Sequence, residues 1–178
     1  MIPVEDLLRL LDLEKIGEDA FRGTSPQDGR RRIFGGQVLG QALIAAERTV
    51  SGRDCHSLHA YFLRPGNPAL PITYEVERSR DGGTFTARRV AAKQDGKIIF
   101  TMAASFQVPE QGFEHQAAMP DVPAPEALAT DRELRQRMAD GLPSYLRAWL
   151  TRERPIEIRP VEPVQHYLQK AEIGRAHV

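Results

Sequence analysis

A chain of 178 residues with 41% hydrophobic residues is long enough for one ordinary domain, or for one domain and the start of a second. Basic and acidic residues both number 24, and this balance indicates neither a nucleic-acid-binding surface nor an acidic tail. The single cysteine, Cys55, excludes an internal disulfide and favours a reducing compartment. The sequence contains no signal-peptide pattern and no apolar run of membrane-spanning length, so we expect a cytoplasmic protein without a membrane partner.

Two helices and a short strand are predicted before residue 51. Leucines at helical spacing predict a first helix within residues 3–16, and the segment EDAFRGTSPQDG predicts a short strand that ends in turn residues. The segment RRIFGGQVLGQALIAAERTV is apolar on more than one face, which is typical of a helix buried in a core. It opens on Gly35 and Gly36 without a Ser or Asp cap, so its first backbone N–H groups are left uncovered.

From His56 onward apolar residues recur at every second position, which predicts strands. The four predicted strands lie in HSLHAYFLRPG, PITYEVERSRDGG, TFTARRVAAKQDGK and IIFTMAASFQV. They are separated by turn residues at Pro65-Gly66, Asp81-Gly82-Gly83 and Asp95-Gly96, so we predict a four-stranded antiparallel meander. The simplest arrangement is an α+β architecture in which a curved antiparallel sheet wraps around the long buried helix.

The pattern predicts a first domain over residues 1–108, followed by a proline-rich linker over residues 109–155. The linker contains one helix, capped at Thr130 or Asp131 and stopped by Gly141. A strand predicted at Ile156–Ile158 indicates that residues 156–178 begin a truncated second domain. The last seven residues, EIGRAHV (172–178), do not continue the pattern and resemble translated sequencing adapter, so we expect them not to be native.

Several of these motifs, in this order, resemble the acyl-CoA thioesterase II family of double-hotdog thioesterases. The matching segments are FRGTS, FGGQVLGQAL, HSLHAYFLRPG, RDGGTFTARRVAAKQDGKIIFTMAASFQ and GFEHQ…MP, and the resemblance covers roughly residues 7–163. It implies a hotdog fold, hydrolysis of fatty acyl-CoA thioesters to free fatty acid and CoA, and a role in fatty acid and lipid metabolism. It also implies that the family's catalytic Asp, Thr and Gln lie in the second hotdog repeat, beyond this chain.

Four residues of the first repeat are candidates for the catalytic site. The uncovered N–H at Gly36 can stabilise the oxyanion of a thioester transition state, unless the glycines only let a strand turn into a helix. Gln37 can hydrogen-bond into the same groove, whereas Gln41 one turn later is interpreted as part of a polar stripe. His56 is either a general base or a structural, hydrogen-bonded histidine. The internal pseudo-symmetry that the resemblance implies places Gln107 where the second repeat has its catalytic Gln.

Three arginines are candidates for binding the phosphates of CoA, because a guanidinium group suits bidentate contacts to phosphate. These are Arg64, Arg88 and Arg89. Because adjacent strand residues point to opposite faces of a sheet, Arg88 and Arg89 cannot both line one groove. Solvent-exposed arginines on a sheet face are the alternative.

Three functions are compared. The first is the N-terminal domain of an acyl-CoA thioesterase that works with a second hotdog repeat or as a homodimer. The second is a catalytically incompetent hotdog that still binds acyl-CoA. The third is a hydratase or dehydratase on acyl thioesters, which requires a catalytic His with a carboxylate. Cys55 beside His56 is either a nucleophile or a buried small residue. No cofactor, metal or nucleic-acid partner is expected.

Overall fold

The computed structural model describes residues 4–139, 142–144, 147, 150–151 and 155–162. They belong to two compact units. The first unit is Glu5–Glu114, and the second comprises Val4 and the described residues from His115 onward. The predicted division into residues 1–108, 109–155 and 156–178 stays a prediction.

The first unit consists of two helices and a six-stranded antiparallel sheet. Its elements are α1 (Val4–Leu11), β1 (Glu14–Lys15), β2 (Ala20–Gly23), α2 (Gly35–Glu47), β3 (Asp54–Phe62), β4 (Ile72–Asp81), β5 (Phe85–Gln94) and β6 (Lys97–Gln107). The sheet packs against α2, and the α+β architecture predicted from the sequence is confirmed. None of the helices in the described part of the chain is long and apolar enough to cross a membrane.

The strand order is β1-β2-β4-β5-β6-β3, so the prediction of a four-stranded meander is wrong. Strands β4, β5 and β6 do form a meander through the two predicted tight turns. In the second of these, Asp95 and Gly96 both have positive φ angles, 48° and 72°, as a type I′ hairpin turn requires. Strand β3 instead pairs with β6 at the edge of the sheet, and β2 pairs with β4. Residues 63–71 form a connection long enough to carry the chain from one side of the sheet to the other.

The inner face of the sheet is the face that packs on α2. Alternate residues of each strand lie on it, and the helix contributes Ala42, Ala45 and Ala46, which have no exposed surface. These small side chains let the helix axis approach the sheet closely, so large side chains of the sheet fill the space around it. The most deeply buried apolar side chains of the strands are Phe21, Ile72, Tyr74, Val90, Phe100 and Phe106.

In the second unit the predicted helix is present as α3 (Asp131–Ala139). Its N-terminus is a capping box, because Thr130 Oγ1 accepts a hydrogen bond from the Glu133 amide and Glu133 Oε2 accepts one from the Thr130 amide. Of the two predicted caps, Thr130 and Asp131, the structure shows Thr130. The predicted stop at Gly141 and the residues 172–178 lie outside the described residues.

The strand predicted at Ile156–Ile158 is wrong. Residues 155–162 contain no strand. The Ile158 carbonyl accepts a hydrogen bond from the amide of Asp131, at 2.7 Å. Pro155 and Pro160 flank the segment and supply no backbone donor, so the segment is poorly suited to a sheet ladder even though its apolar residues alternate.

Candidate functional site

The start of α2 leaves backbone donors uncovered. Phe34 occupies the N-cap position with extended backbone angles and provides no side-chain cap. The Gln37 amide bonds back to the Phe34 carbonyl at 3.1 Å. Among the described residues, the amides of Gly35 and Gly36 donate no hydrogen bond, and Gly36 is exposed. Two N–H groups at the positive end of the helix dipole are therefore available to an anionic group.

The two glycines allow close approach of aromatic rings. Neither has a positive φ angle, so their backbone conformation is open to other residues. A Cβ atom at Gly35 would lie 2.9 Å from Cε1 of Phe62, and one at Gly36 would lie 2.5 Å from Cε1 of Phe34. The Phe62 ring also packs on Phe100, with 5.1 Å between ring centroids. Two phenylalanine rings thus lie beside the uncovered amides.

Gln37 and Gln41 anchor α2 to its surroundings. Gln37 Nε2 donates to Ser25 Oγ at 2.9 Å and to the Thr24 carbonyl at 3.1 Å. Gln41 is fully buried; its Nε2 donates to the Leu10 carbonyl at 2.6 Å, and its Oε1 accepts from the Tyr74 hydroxyl at 2.7 Å. Burial raises the pKa of Tyr74 far above its ordinary value, so the hydroxyl stays a donor.

His56 and Gln107 lie far from the start of α2. His56 occupies an irregularity in the pairing of β3 with β6, and its Nε2 lies 2.8 Å from Ser105 Oγ on the outer face of the sheet. Gln107 donates to Glu110 Oε2 at 3.1 Å. His56 precedes Phe62 by six residues in the same strand, so about 20 Å separates it from the ring that lies beside Gly35. The structure brings Gly36 and Gln37 together but not with His56 or Gln107.

The three candidate arginines occupy three different environments. Arg64 is exposed, donates to the Ile98 carbonyl at 2.6 Å, and lies near the start of α2, where the Gly66 carbonyl accepts from the Ile33 amide. Arg88 is only 2% exposed on the inner face. Arg89 is exposed on the outer face, so the prediction that the adjacent arginines point to opposite faces is confirmed.

Arg88 belongs to a polar network at the C-terminal end of α2. Its Nε donates to Thr49 Oγ1 at 2.8 Å and its Nη2 to Asp81 Oδ1 at 2.7 Å. The hydrogen bond from Arg88 lowers the pKa of the Asp81 carboxyl. Nearby, Arg53 donates to Thr86 Oγ1 and to the Gly82 carbonyl. The hydrogen-bond donors of the Arg88 guanidinium are occupied by protein partners, so the structure gives Arg88 a structural role.

The outer edge of β3 is unpaired within the described chain and is lined by apolar side chains. Phe34 is 63% exposed, Phe62 59% and Leu58 37%. We call these three residues the β3 seam. An unpaired nine-residue strand edge beside exposed phenylalanines is typical of a surface that another chain or domain covers.

Cys55 is on the inner face of β3, opposite Phe106, and burial raises the pKa of its thiol. A raised pKa lowers the fraction of reactive thiolate, which favours the interpretation of Cys55 as a buried small residue. Within the described residues, no group of three or more His, Cys, Asp or Glu side chains is placed to hold a metal ion.

Comparison with known proteins identifies the family. The model of the acyl-CoA thioesterase N-terminal domain matches residues 24–107. Acyl-CoA thioesterase 2 of Haemophilus influenzae is 47% identical over 157 residues, which are 88% of this chain and 55% of that protein. The tesB protein of Mycobacterium avium subspecies paratuberculosis has a solved structure that is 44% identical, with a TM-score of 0.66 over 69% of this chain and 49% of the other. The chain belongs to the acyl-CoA thioesterase II family.

Within the acyl-CoA thioesterase II family, the chain carries the N-terminal hotdog domain and spans about half the length of the relatives it matches. The predicted hotdog fold is confirmed. A protein of unknown function with a hot dog fold from Alicyclobacillus acidocaldarius superposes with a TM-score of 0.59 at 24% identity, over 68% of this chain and 47% of the other.

The aromatic part of this candidate site is not predicted from the sequence. From the sequence alone, Phe34 and Phe62 are only parts of a predicted helix start and a predicted strand. The signal that identifies them in retrospect is the pairing of a Gly-Gly helix start with large aromatic residues directly before it and at the end of an edge strand. That edge position became visible only with the strand order.

Proposed function

We propose that this chain is one half of an acyl-CoA thioesterase, which hydrolyses fatty acyl-CoA thioesters to free fatty acid and CoA together with a second hotdog domain. The observation that carries this proposal is the pair of uncovered amides at Gly35 and Gly36, which lie beside the exposed β3 seam. Membership of the acyl-CoA thioesterase II family supports the same substrate class.

The amides suit the charge that develops during thioester hydrolysis. Water adds to the carbonyl carbon, the carbonyl oxygen becomes an oxyanion, and the carbon–sulfur bond then breaks to release the CoA thiolate, which takes up a proton. Two N–H donors at a helix start can hold that oxyanion without reorganising. Loss of one donor of this kind typically lowers kcat by about 10²–10³-fold.

Activation of the water is assigned to the partner half. The start of α2 presents amides, whereas His56 and Gln107 lie at the other end of the sheet. The family resemblance implies a catalytic Asp, Thr and Gln in the second repeat. That repeat, or a second copy of this chain, would pair at the β3 seam. The two halves would then meet at the uncovered amides.

Of the three arginines, we keep Arg64 as the candidate for a CoA phosphate. It is exposed and lies at the end of the sheet where α2 begins. Arg88 is buried in its own network and Arg89 points away from α2, so neither can face a ligand at the Gly35 and Gly36 amides.

The first experiment separates hydrolysis from binding alone. Purified 178-residue chain, alone and mixed with the separately expressed remaining half of acyl-CoA thioesterase 2 of Haemophilus influenzae, is assayed for thiol release from a long-chain acyl-CoA and is titrated in parallel with a non-hydrolysable thioether analogue. Release of CoA supports the proposed enzyme. Binding without release supports the second candidate, an acyl-CoA-binding half that lacks catalysis. Absence of both binding and release contradicts both functions.

A matched pair of substitutions tests the amides. Gly35→Ala and Gly35→Pro both place a carbon atom against Phe62, but only proline removes the N–H. Proline is tolerated at the first position of a helix, and the extended backbone of Phe34 suits a residue before proline. We expect kcat of Gly35→Pro to fall about 10²-fold below that of Gly35→Ala. Equal kcat values for the two variants would remove the Gly35 amide from the mechanism.

The cytoplasmic location expected from the sequence stays a prediction. Fractionation of cells that express the chain with a fused reporter tests it.

A further inference from the structure

A groove crosses the outer face of the sheet, on the side opposite α2. Its volume is about 570 Å³ and it is open to solvent. Small residues of β5 and β6, such as Ala91 and Ala103, form its floor. One wall is acidic and is formed by β4, and the other carries an imidazole and a phenol from β3. The side chains that define this outer groove are His59, Tyr61, Glu75, Glu77, Arg89 and Ala103.

Two opposite charges in the outer groove have no ionic partner. Arg89 makes no ion pair or hydrogen bond among the described residues, although Glu77 is its cross-strand neighbour. Glu77 accepts only from Ser79 Oγ, at 2.9 Å. Other charged side chains of β4 and β5 do form ion pairs: Lys93 contacts Glu75 at 2.5 Å, and Arg78 contacts Asp19 at 2.8 Å. The groove therefore presents one positive and one negative group side by side.

We propose that the outer groove is a self-association surface, on which a second copy of this chain packs sheet against sheet. In a two-fold interface the same patch meets itself, so it must be complementary to itself in charge. A two-fold axis between Arg89 and Glu77 sets each Arg89 against the partner's Glu77. The two-fold axis therefore creates two identical ion pairs, and both unpaired charges of each copy gain a partner.

The side chains around these charges suit this packing. Sheets pack face to face at about 10 Å, and the alanine floor leaves space for side chains of the second sheet. Tyr61 is 61% exposed and lies in edge contact with His59, at 4.7 Å between ring centroids. Tyrosine and arginine are enriched at the centres of protein interfaces. This surface is separate from the β3 seam, so the proposal stands or falls independently of the thioesterase function.

Two charge reversals test the interface. Arg89→Glu makes the groove wholly acidic and Glu77→Arg makes it basic, so each variant alone repels its own copy. We expect the dissociation constant of the association to rise at least about tenfold in either variant, measured by sedimentation velocity and light scattering. An equimolar mixture of the two variants pairs an acidic groove with a basic one. We expect this mixture to associate with the affinity of the unchanged chain, and the double variant to behave in the same way.

Lys97→Glu is the matched control, because it makes the same charge change at the tip of the β5–β6 hairpin. Its mass in solution should equal that of the unchanged chain. Far-UV circular dichroism and unfolding midpoints establish that all variants are folded. The proposal is overturned if the unchanged chain is monomeric at high concentration, if the masses of the reversals do not change, or if mixing does not restore association.

Discussion

The two ends of α2 are built in opposite ways. At its C-terminal end the Arg48 amide bonds to the Ile44 carbonyl, and the buried Arg88 joins Thr49 to Asp81. At its N-terminal end the N-cap residue is Phe34, whose side chain cannot accept a hydrogen bond, and the amides of Gly35 and Gly36 are uncovered. This difference between the two ends of the helix shows where the domain is stabilised and where it is available to a ligand. A polar group that is satisfied within the protein adds stability, and one that is left open can bind.

The largest effect on stability is expected at Arg88, in the network at the C-terminal end of α2. Arg88→Ala removes a buried guanidinium and its bonds to the Thr49 hydroxyl, the Asp81 carboxylate and three backbone carbonyls. We expect the free energy of unfolding to fall by about 3 kcal/mol in urea denaturation. Arg32→Ala, at an exposed arginine, is the control and should change it by less than about 0.5 kcal/mol. Similar losses in the free energy of unfolding for both variants would show that the C-terminal end of α2 is not specially stabilised.

A second test concerns the middle of α2, where Gln41 meets Tyr74. Gln41→Leu leaves the buried Tyr74 hydroxyl without its acceptor, and we expect a loss of about 2 kcal/mol in the free energy of unfolding. Adding Tyr74→Phe removes the orphaned hydroxyl, so the double variant should be more stable than Gln41→Leu alone. A double-mutant cycle by chemical denaturation measures this. Strictly additive losses would mean that the two groups do not depend on each other.

The smallest effect on stability, and the most informative one, is expected at Phe34. Phe34→Asp supplies the missing helix cap, and we expect it to raise the free energy of unfolding by about 1 kcal/mol. The same carboxylate accepts the hydrogen bonds of the uncovered amides and repels an oxyanion, so thiol release should fall. Phe34→Ala, which removes the ring without adding a cap, is the control for release. A capped variant that keeps the activity of the alanine variant would show that the uncovered amides have no catalytic role.

The sequence predicts the parts of this fold that depend on local patterns. The buried helix, the two hairpin turns and the opposite orientation of Arg88 and Arg89 all follow from periodicity and turn chemistry. The position of β3 does not, because alternation reports the faces of a strand and not its neighbour in the sheet. For the same reason, the edge location of Phe62 and its contact with Gly35 were not predictable.

The separation of His56 and Gln107 from Gly36 was unpredictable for the same reason. Gly36 and Gln37 are predicted from the helix start, His56 from its residue type and Gln107 from the resemblance. None of these signals reports a distance along a rolled sheet. The environment of Arg88 was also hidden, because burial of an arginine depends on partners such as Thr49 and Asp81 that lie 39 and 7 residues away in the sequence.

The extra residue in β3 at His56 also determines how this strand tolerates a change in length. It shifts the alternation by one position, so that Cys55 lies opposite Phe106 and Ser57 opposite Ser105, on different faces although they are two residues apart. Without His56, Cys55 and Ser57 would be neighbours, and regular alternation would give them the same partners and the same faces. A one-residue insertion or deletion at this point is therefore absorbed locally, and the rest of the strand keeps its register.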